Sequence, residues 1–395
     1  MRKYYSYAIT YFLVFLPVTN WLPIRRELYL ATFCLAAILF IKKGVTIKKS
    51  YGKVFLLISI VLILQTIAFA KLGIDAVIGL YIAITLPYLA VIIIGKDYCK
   101  VFINIVYCIV LTSFLFYIPS LLYPSAREFI QGIAFSLGTD VWLRDQNFLI
   151  YTARYSATTS FGLLRNSGNF NEPGYFACYI AMALSLNLLY KGRLLDIKNI
   201  VFILGILSTF STAGYIALYF VLSYYSIFIY KNKMKYLLVP LFIVLSFYTY
   251  SMMDFMQPKI QQHYTSQIED GVRAGRFGAT LADLEDIKMY PLTGRGIIST
   301  TRYDEIESWE GDEAPWQSLN GITNLMVRLG LIGFTIYLIW LFKSVQHFVL
   351  NMKFPAYSTY LILGTMFIVL SAQNLAMTVF FWSLLYLKSI KYEKE

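Results

Sequence analysis

Apolar runs long enough to cross a bilayer follow one another along most of this chain, and polar segments separate them. At about 20 apolar residues per crossing, the pattern predicts roughly twelve membrane-spanning helices. They lie near 4–22, 27–41, 54–70, 75–95, 101–122, 172–190, 199–211, 214–230, 236–253, 320–342, 356–371 and 373–390. The run at 199–211 is short, so we expect it to be tilted or partly re-entrant together with its neighbour. The sequence therefore predicts an all-α polytopic membrane protein.

The first apolar run follows Arg2 and Lys3, as the apolar part of a secretory signal does. It lacks a small-x-small cleavage site, and the next apolar run begins at once. We therefore interpret 4–22 as a retained first helix.

Two polar segments, 123–171 and 254–320, interrupt the apolar pattern for much longer than a turn requires. Loops of this length between helices are either disordered or functional. In the second segment, apolar residues recur at helical spacing: Phe277, Leu281, Leu284 and Ile287. This spacing predicts an ordered helix within the second long loop.

Composition excludes a soluble globular protein, because 58% of the 395 residues are hydrophobic, only 14% are charged and the mean hydropathy is +0.61. With both termini placed in the cytoplasm, the predicted inner segments hold 20 of the 34 Lys and Arg residues but only four of the 22 acids. This is the asymmetry of the positive-inside rule, and it puts both long loops on the outer side. The net charge of +12 therefore belongs to the inner face, where it contacts anionic lipid, and it gives no reason to expect nucleic-acid binding.

The two kinds of cation are divided unequally between the predicted sides. Of 21 Lys residues 18 lie on the inner side, whereas eleven of the 13 Arg residues lie on the outer side. Because guanidinium grips phosphate or carboxylate in two places, this division favours binding of an anion outside. The alternative is that the outer arginines pair with the outer acids.

Few residues suit a metal site or a catalytic triad. The only histidines are His263 and His347, and the chain has no CxxC, HExxH or Asp-x-Asp. The acid cluster from Asp304 to Glu313 matches no EF-hand spacing, so a solvated acidic face is the favoured interpretation. The four cysteines lie outside the long loops and predict no disulfide framework.

The first long loop carries scattered aromatic residues, which suit either a sugar-binding platform or anchoring at the membrane interface. They are Trp142, Phe148, Tyr151 and Tyr155. The loop ends by entering a helix, with Asn171 as the expected N-cap and Pro173 in the first turn. Glu172 then lies where the helix dipole favours its ionised form, as a functional carboxylate or as a simple capping acid.

Other polar positions accompany the apolar segments. The turn 208–214 is rich in small hydroxyl residues and ends at Gly214, which suits anion binding by backbone N–H groups or close helix packing. Asn320 and Asn324 are predicted to open the tenth helix. Arg328 in that helix is interpreted either as a functional intramembrane charge or as a snorkelling residue. Gln65 is interpreted as a packing feature.

Three stretches resemble a known superfamily of polytopic enzymes. They are Arg165-x-x-Gly168-x-Phe170-x-Glu172-Pro173, Arg276 followed by Pro291-Leu292-Thr293-Gly294-Arg295-Gly296, and Asn320 followed by Leu329-Gly330-Leu331-Ile332-Gly333. Their order and spacing resemble those of the O-antigen and capsule polymerases of the Wzy type and of the related O-antigen ligases. Leu319 stands where ligases have a histidine, and Ser211-Thr212 where many relatives have Ser-Arg. The first departure favours a polymerase.

The resemblance implies a GT-C-like fold in the bacterial cytoplasmic membrane and a glycosyltransferase that needs neither metal nor cofactor. The implied substrate is an oligosaccharide on undecaprenyl pyrophosphate, whose glycan is transferred to a hydroxyl of another lipid-linked repeat unit. Membrane lipids are the other expected partner, and the sequence leaves open whether a chain-length regulator binds. The alternatives are an O-antigen ligase and, in another class, a lipid-linked oligosaccharide flippase.

The same resemblance implies roles for seven residues, divided between the two long loops. The implied catalytic residues are Glu172, as general base, and Arg276 and Arg165. The implied substrate-binding residues are Arg273, Arg295, Asn320 and Arg154.

Overall fold

The computed structural model is predominantly helical. It describes residues 2–15, 25–44, 46–69, 73–132, 147–148, 151–155, 164–230, 275–297 and 320–390, together with the isolated positions 236, 240 and 244. The helices are α1 Arg2–Phe15, α2 Arg25–Lys42, α3 Lys49–Phe69, α4 Ile74–Ile94, α5 Tyr98–Leu122, α6 Pro124–Gly132, α7 Pro173–Lys191, α8 Ile197–Ser208, α9 Thr212–Tyr224, α10 Gly275–Met289, α11 Gly321–Asn351, α12 Thr359–Ala372 and α13 Val379–Ser383. The strands are β1 Asn147–Phe148, β2 Tyr151–Tyr155 and β3 Leu164–Asn166.

Within the described residues, five helical stretches are long and apolar enough to cross a membrane: Lys49–Phe69, Val77–Leu122, Pro173–Lys191, Thr212–Ile229 and Gly321–Asn351. Four shorter apolar helices accompany them, at Leu30–Lys42, Ile197–Ser208, Ala356–Ala372 and Val379–Ser389. This confirms the predicted all-α polytopic membrane protein. The total of twelve spans stays a prediction, because most of the run at 236–253 lies outside the described residues.

The last predicted span, 373–390, is not one continuous helix. Residues 373–378 form a turn, α13 has only five residues, and a 3-10 helix covers Leu384–Ser389. The turn that breaks the helix is bonded to α11, since Asn374 in the turn accepts a hydrogen bond of 2.7 Å from Asn324. Gly321 also lies close to the turn, because a Cβ on it would be 2.7 Å from the Gln373 carbonyl oxygen.

The chain divides into two compact units, each of which draws on separate parts of the sequence. The first comprises Met1–Leu35, Lys96–Pro258 and Val349–Val369. The second comprises Ala36–Gly95, Lys259–Phe348 and Leu370–Glu395.

The centre of the first unit is α7, which is buried along nearly its whole length and packs against α5, α8 and α9. Glycines allow the close approach of these helices. A Cβ on Gly205 would be 2.9 Å from a methyl group of Val110, and one on Gly214 would be 2.7 Å from the Cβ of Ala177. The packing interpretation of Gly214 is therefore supported.

The described part of the first long loop contains α6 and a small antiparallel sheet of order β1-β2-β3. Tyr117 of α5 donates a hydrogen bond of 3.2 Å to the Leu164 carbonyl, which joins the sheet to the helices. Tyr151 is fully buried and stacks on Phe116 with ring centroids 5.4 Å apart. The prediction that Tyr151 belongs to a sugar-binding platform is therefore wrong, because its ring packs in the core beneath the sheet.

In the second unit, α4 packs against α13 and the following 3-10 helix. The helix predicted in the second long loop is confirmed as α10. Its buried side chains are Ala279, Asp283 and Ile287, whereas Leu281 and Leu284 are each 40% exposed. The apolar spacing therefore predicted the helix but not the face that the protein covers.

Candidate active site

The segment from Arg165 to Glu172 is held by its own glycine and phenylalanine. Gly168 has φ +56°, and a Cβ there would be 3.0 Å from the ring of Phe176. The ring of Phe170 is fully buried and stacks on that of Phe176 with centroids 5.3 Å apart. These contacts explain why this stretch needs glycine and an aromatic residue between its arginine and its glutamate.

Arg165 and Asn166 connect this segment to the small-residue turn after α8. The Arg165 Nε donates a hydrogen bond of 3.0 Å to the Thr209 carbonyl. The Asn166 side chain donates to the hydroxyls of Ser113 and Ser208, at 2.9 and 3.0 Å, and accepts from the Gly168 N–H. The sequence analysis singled out the turn and the arginine separately, and the structure brings them together.

A hydrogen bond within the turn caps the helix that follows it. The Ser211 hydroxyl accepts a hydrogen bond from the Gly214 N–H and so caps α9. Phe210 has φ +45°, a conformation unusual for a residue with a side chain. Helix capping and close packing thus explain the small residues of this turn.

Arg154 lies directly opposite Arg165, because β2 and β3 pair with Arg154 and Arg165 in register. Like charges at opposed positions of an antiparallel pair are unfavourable unless something neutralises them. The sequence analysis assigned both arginines to the site without indicating that strand pairing would make them neighbours.

Glu172 is the N-cap residue of α7, and Pro173 occupies the first turn as predicted. The prediction of Asn171 as N-cap is wrong by one residue, because Glu172 has the extended backbone of a cap and Asn171 precedes it. The Glu172 carboxylate makes no capping hydrogen bond. Glu172 thus occupies the cap position without a side-chain bond to the helix, and its role as a functional carboxylate stays a prediction.

In the second unit, the turn 291–296 is inserted into a kink of α11. Gly330 of α11 has φ +67° and ψ +169°, which interrupts the helix. Its regular bond from Leu331 N–H to Val327 C=O is replaced by two others. The Leu331 N–H donates to the Pro291 carbonyl, and the Val327 carbonyl accepts from the Arg295 N–H, both at 2.8 Å.

Gln65 of α3 fixes the same turn from the other side. Its amide group donates to the carbonyls of Thr293 and Arg328, and its oxygen accepts from the Ile297 N–H, all at 2.8 Å. The side chain is 1% exposed. The interpretation of Gln65 as a mere packing feature missed this role, since only its polarity within an apolar helix signalled a partner.

The Arg295 side chain has protein partners. Its Nη1 lies 2.9 Å from the Asp286 carboxylate, with both side chains largely buried. The guanidinium also lies over the Tyr290 ring, 5.8 Å from its centroid. For Arg295, the structure thus has the pairing with an acid that was the alternative to anion binding, and the outer location of both residues stays a prediction.

Asn320 caps α11 as predicted. Its side-chain oxygen accepts from the N–H groups of Ile322 and Thr323, at 3.0 and 3.3 Å, and its amide donates to the Thr280 hydroxyl of α10. One turn further along α10, the fully buried Asp283 accepts a hydrogen bond from the Thr323 hydroxyl. The sequence analysis missed Asp283, and the signal that could have found it is an acid on a face otherwise made of small and apolar residues.

Arg328 is held within α11 and by the end of the inserted turn. Its Nε donates to Asn324 at 3.0 Å, and its Nη1 donates to the Ile297 carbonyl at 2.8 Å. These bonds hold the Arg328 guanidinium between Asn324 and the end of the turn.

Some of the predicted site residues, or their side chains, are not among those that the structure describes. Arg273 and the acid cluster at 304–313 lie outside the described residues. Arg276 lies in the first turn of α10, one turn before Thr280 on the same helix face, and Arg154 lies in β2, but neither side chain is described.

The fold and the motif geometry define an integral membrane protein with polar segments held between apolar helices. The family model described as O-antigen ligase matches residues 199–338, which include α10, the inserted turn and the first half of α11. The match is consistent with the superfamily of O-antigen ligases and polymerases that the motifs resemble. Comparison with curated proteins finds no match. The family match supports a glycosyltransferase-like activity in polysaccharide assembly and does not distinguish polymerase from ligase.

Proposed function

We propose that this protein is a polysaccharide polymerase of the bacterial cytoplasmic membrane that works on its outer face. It transfers a glycan from undecaprenyl pyrophosphate to a sugar hydroxyl of another lipid-linked repeat unit. The observation that carries the proposal is the register of β2 and β3, which pairs Arg154 with Arg165. Glu172, whose carboxylate makes no capping hydrogen bond, follows a few residues later.

The reaction breaks the bond between the anomeric carbon and the phosphate oxygen. The electron pair of that bond leaves with the undecaprenyl pyrophosphate, and the acceptor hydroxyl oxygen forms the new glycosidic bond. The hydroxyl proton passes to a general base, for which we propose Glu172. Glu172 is the N-cap residue of the 19-residue α7, and its carboxylate makes no capping hydrogen bond.

Negative charge develops on the leaving pyrophosphate, and fixed guanidinium groups can stabilise it without a metal ion. We propose this role for Arg165 and Arg276, with Arg154 and Arg273 as further substrate-binding residues. The register of β2 and β3 supports it, because it places Arg154 directly opposite Arg165. Arg295 and Asn320 have protein partners as well, so their proposed part includes positioning the inserted turn and α11.

The second candidate is an O-antigen ligase, which uses the same donor and a lipid A core acceptor. The family match fits either enzyme, whereas Leu319 in place of a histidine favours the polymerase. A flippase would concentrate its arginines in a cavity between helices, whereas the motif arginines here lie within the two long polar segments.

Reconstitution with purified acceptors separates the three activities. The protein is placed in liposomes with lipid-linked repeat units, with or without lipid A core. A polymerase lengthens the lipid-linked glycan when no lipid A core is present. Product that forms only on lipid A core would identify a ligase and overturn the proposal. Translocation of the lipid-linked unit without any new glycosidic bond would identify a flippase.

A further inference from the structure

The second unit contains a lysine-rich cavity whose lining includes no residue of the motifs described above. Its volume is about 460 Å³, within the range of small-molecule sites. The start of α3, the second half of α11 and the 3-10 helix after α13 line it. Five of its lining residues are lysines, namely Lys48, Lys49, Lys53, Lys343 and Lys388.

The positive charge of this cavity is not neutralised within the described part of the chain. No carboxylate lines the cavity, and the ion pairs recorded among the described residues involve other cations. Lys49 and Lys53 are four apart on α3, a like-charge spacing that destabilises a helix. Both also lie in the first turns of α3, where the helix dipole is already positive. A bound anion would reverse each of these unfavourable interactions.

Hydrogen bonds and aromatic stacking fix the walls of the cavity. The Lys48 N–H donates to the Tyr88 hydroxyl at 2.7 Å, and the Lys388 N–H donates to the Ser344 hydroxyl at 3.0 Å. Behind them Tyr88 stacks on Tyr51, with ring centroids 4.7 Å apart. The lysine backbones are therefore held in place before any ligand binds.

An exposed apolar stripe on α3 continues the line of Lys49 and Lys53. The next residues on this helix face are Leu56, Ile60, Ile63 and Ile67, which are 59%, 47%, 57% and 75% exposed. Their spacing of three and four residues keeps them on one side of α3. The face thus has a cationic end at the cavity and an apolar length leading away from it, which matches an amphiphile with an anionic head.

We propose that this cavity binds the phosphate headgroup of an anionic membrane lipid, whose acyl chains lie along the exposed stripe of α3. Trp340 lines the cavity and suits the level of the headgroups, where tryptophan is enriched. The proposal concerns one unit only and does not depend on the glycosyltransferase activity.

The test uses the full chain in detergent, with brominated phosphatidylglycerol as the probe and tryptophan fluorescence as the readout. The part of the quenching that is lost in a Trp340→Phe variant comes from Trp340 and therefore reports binding in the cavity. We expect saturable quenching by phosphatidylglycerol and little by phosphatidylcholine. Each lysine replaced by Gln should weaken binding about five-fold, so the triple variant K53Q/K343Q/K388Q should bind roughly 100-fold more weakly.

Lys42→Gln is the matched control, because Lys42 is an exposed lysine of the same unit that does not line the cavity. It should leave binding unchanged. If the triple variant does not fold, Lys343→Gln alone should still show the five-fold loss. Equal binding of phosphatidylcholine, or undiminished binding by the lysine variants, would overturn the proposal.

A second arm distinguishes a lipid from a soluble phosphate compound. Ile60→Asn should weaken phosphatidylglycerol binding because it places a polar group on the stripe, and glycerol phosphate should compete poorly. Effective competition by glycerol phosphate, together with an unchanged affinity of Ile60→Asn for the lipid, would contradict the lipid assignment.

Discussion

Gly294 of the inserted turn and Gly330 of α11 meet backbone to backbone. A Cβ on Gly294 would be 2.6 Å from the Gly330 nitrogen, and a Cβ on Gly330 would be 2.7 Å from the Gly294 nitrogen. Both residues have positive φ, at +70° and +67°. The kink of α11 and the turn therefore require each other, and neither position has room for a side chain.

Replacing either glycine by alanine should destabilise the protein strongly. Gly330→Ala would place a methyl group 2.1 Å from the Leu292 carbonyl oxygen, on a backbone conformation that is nearly restricted to glycine. We expect a loss of more than about 2 kcal/mol, measured by thermal unfolding in detergent. Gly79→Ala is the control, since nothing lies within 4 Å of its Cβ position, and it should unfold at the wild-type temperature. A wild-type unfolding temperature for Gly330→Ala would show that the turn does not occupy the kink.

Gln65→Leu should remove the hydrogen bonds that connect α3 to the inserted turn. It would leave the Thr293 and Arg328 carbonyls and the Ile297 N–H without the partner recorded here, at a cost of about 1–3 kcal/mol for each group left unsatisfied. We expect a lower unfolding temperature and a reduced rate of glycan transfer at normal protein levels. Thr66→Val is the neighbouring control, because the Thr66 hydroxyl bonds only the Leu62 carbonyl one turn before it. Equal stability of the two variants would exclude the positioning role of Gln65.

Arg165→Lys and Arg276→Lys should each abolish polymer above one or two repeat units. Lysine keeps the charge but loses the forked geometry that grips a pyrophosphate. Losing one preorganised donor to developing charge costs roughly 100–1000-fold in rate. Glycan ladder gels measure the outcome, with membrane protein levels checked by immunoblot.

Lys288→Ala is the internal control for these arginine variants, because Lys288 is an exposed residue of α10 outside the motif. Its ladder should be nearly that of the wild type. Wild-type ladders from both Arg→Lys variants would return the arginines to the role of surface partners for acids.

Polymerisation in vitro should survive EDTA with its rate largely unchanged. The physical reason is that arginines, in the proposed mechanism, stabilise the charge that a metal ion stabilises in Asp-x-Asp enzymes. The measurement compares initial rates with and without chelator. Activity that is lost in EDTA and restored by Mg²⁺ or Ca²⁺ would instead implicate the acid cluster at 304–313.

Reporter fusions test the predicted orientation. Alkaline phosphatase joined after Asn147 or Asp286 should be active, because both positions are predicted to lie outside. Fusions after Lys49 or Lys235 should be inactive. An inner location for residue 286 would remove the argument that the motif arginines face the outer surface.

The order of residues alone predicts the class of fold, because backbone polar groups in a bilayer must bond within their own segment and long apolar runs therefore become helices. It also determined that α10 is a helix, that Pro173 opens α7 and that Asn320 caps α11, since each depends on neighbouring residues alone. Local signals of this kind need no knowledge of distant parts of the chain.

Contacts between residues far apart in the sequence depend on how the segments pack and could not be predicted from the order of residues. The opposition of Arg154 and Arg165 depends on strand register, and the three bonds of Gln65 connect it with positions more than 200 residues away. In the sequence alone, Gly330 is an ordinary small residue of a membrane helix. Its contact with the backbone of Gly294 shows why this position requires glycine. The ion pair of Arg295 with Asp286 likewise arises because the turn at Pro291 reverses the chain, which brings the guanidinium back to the helix before it. Hydrophobic patterning fixes which segments are buried, but hydrogen bonds between distant segments are set by packing, which the order of residues does not display.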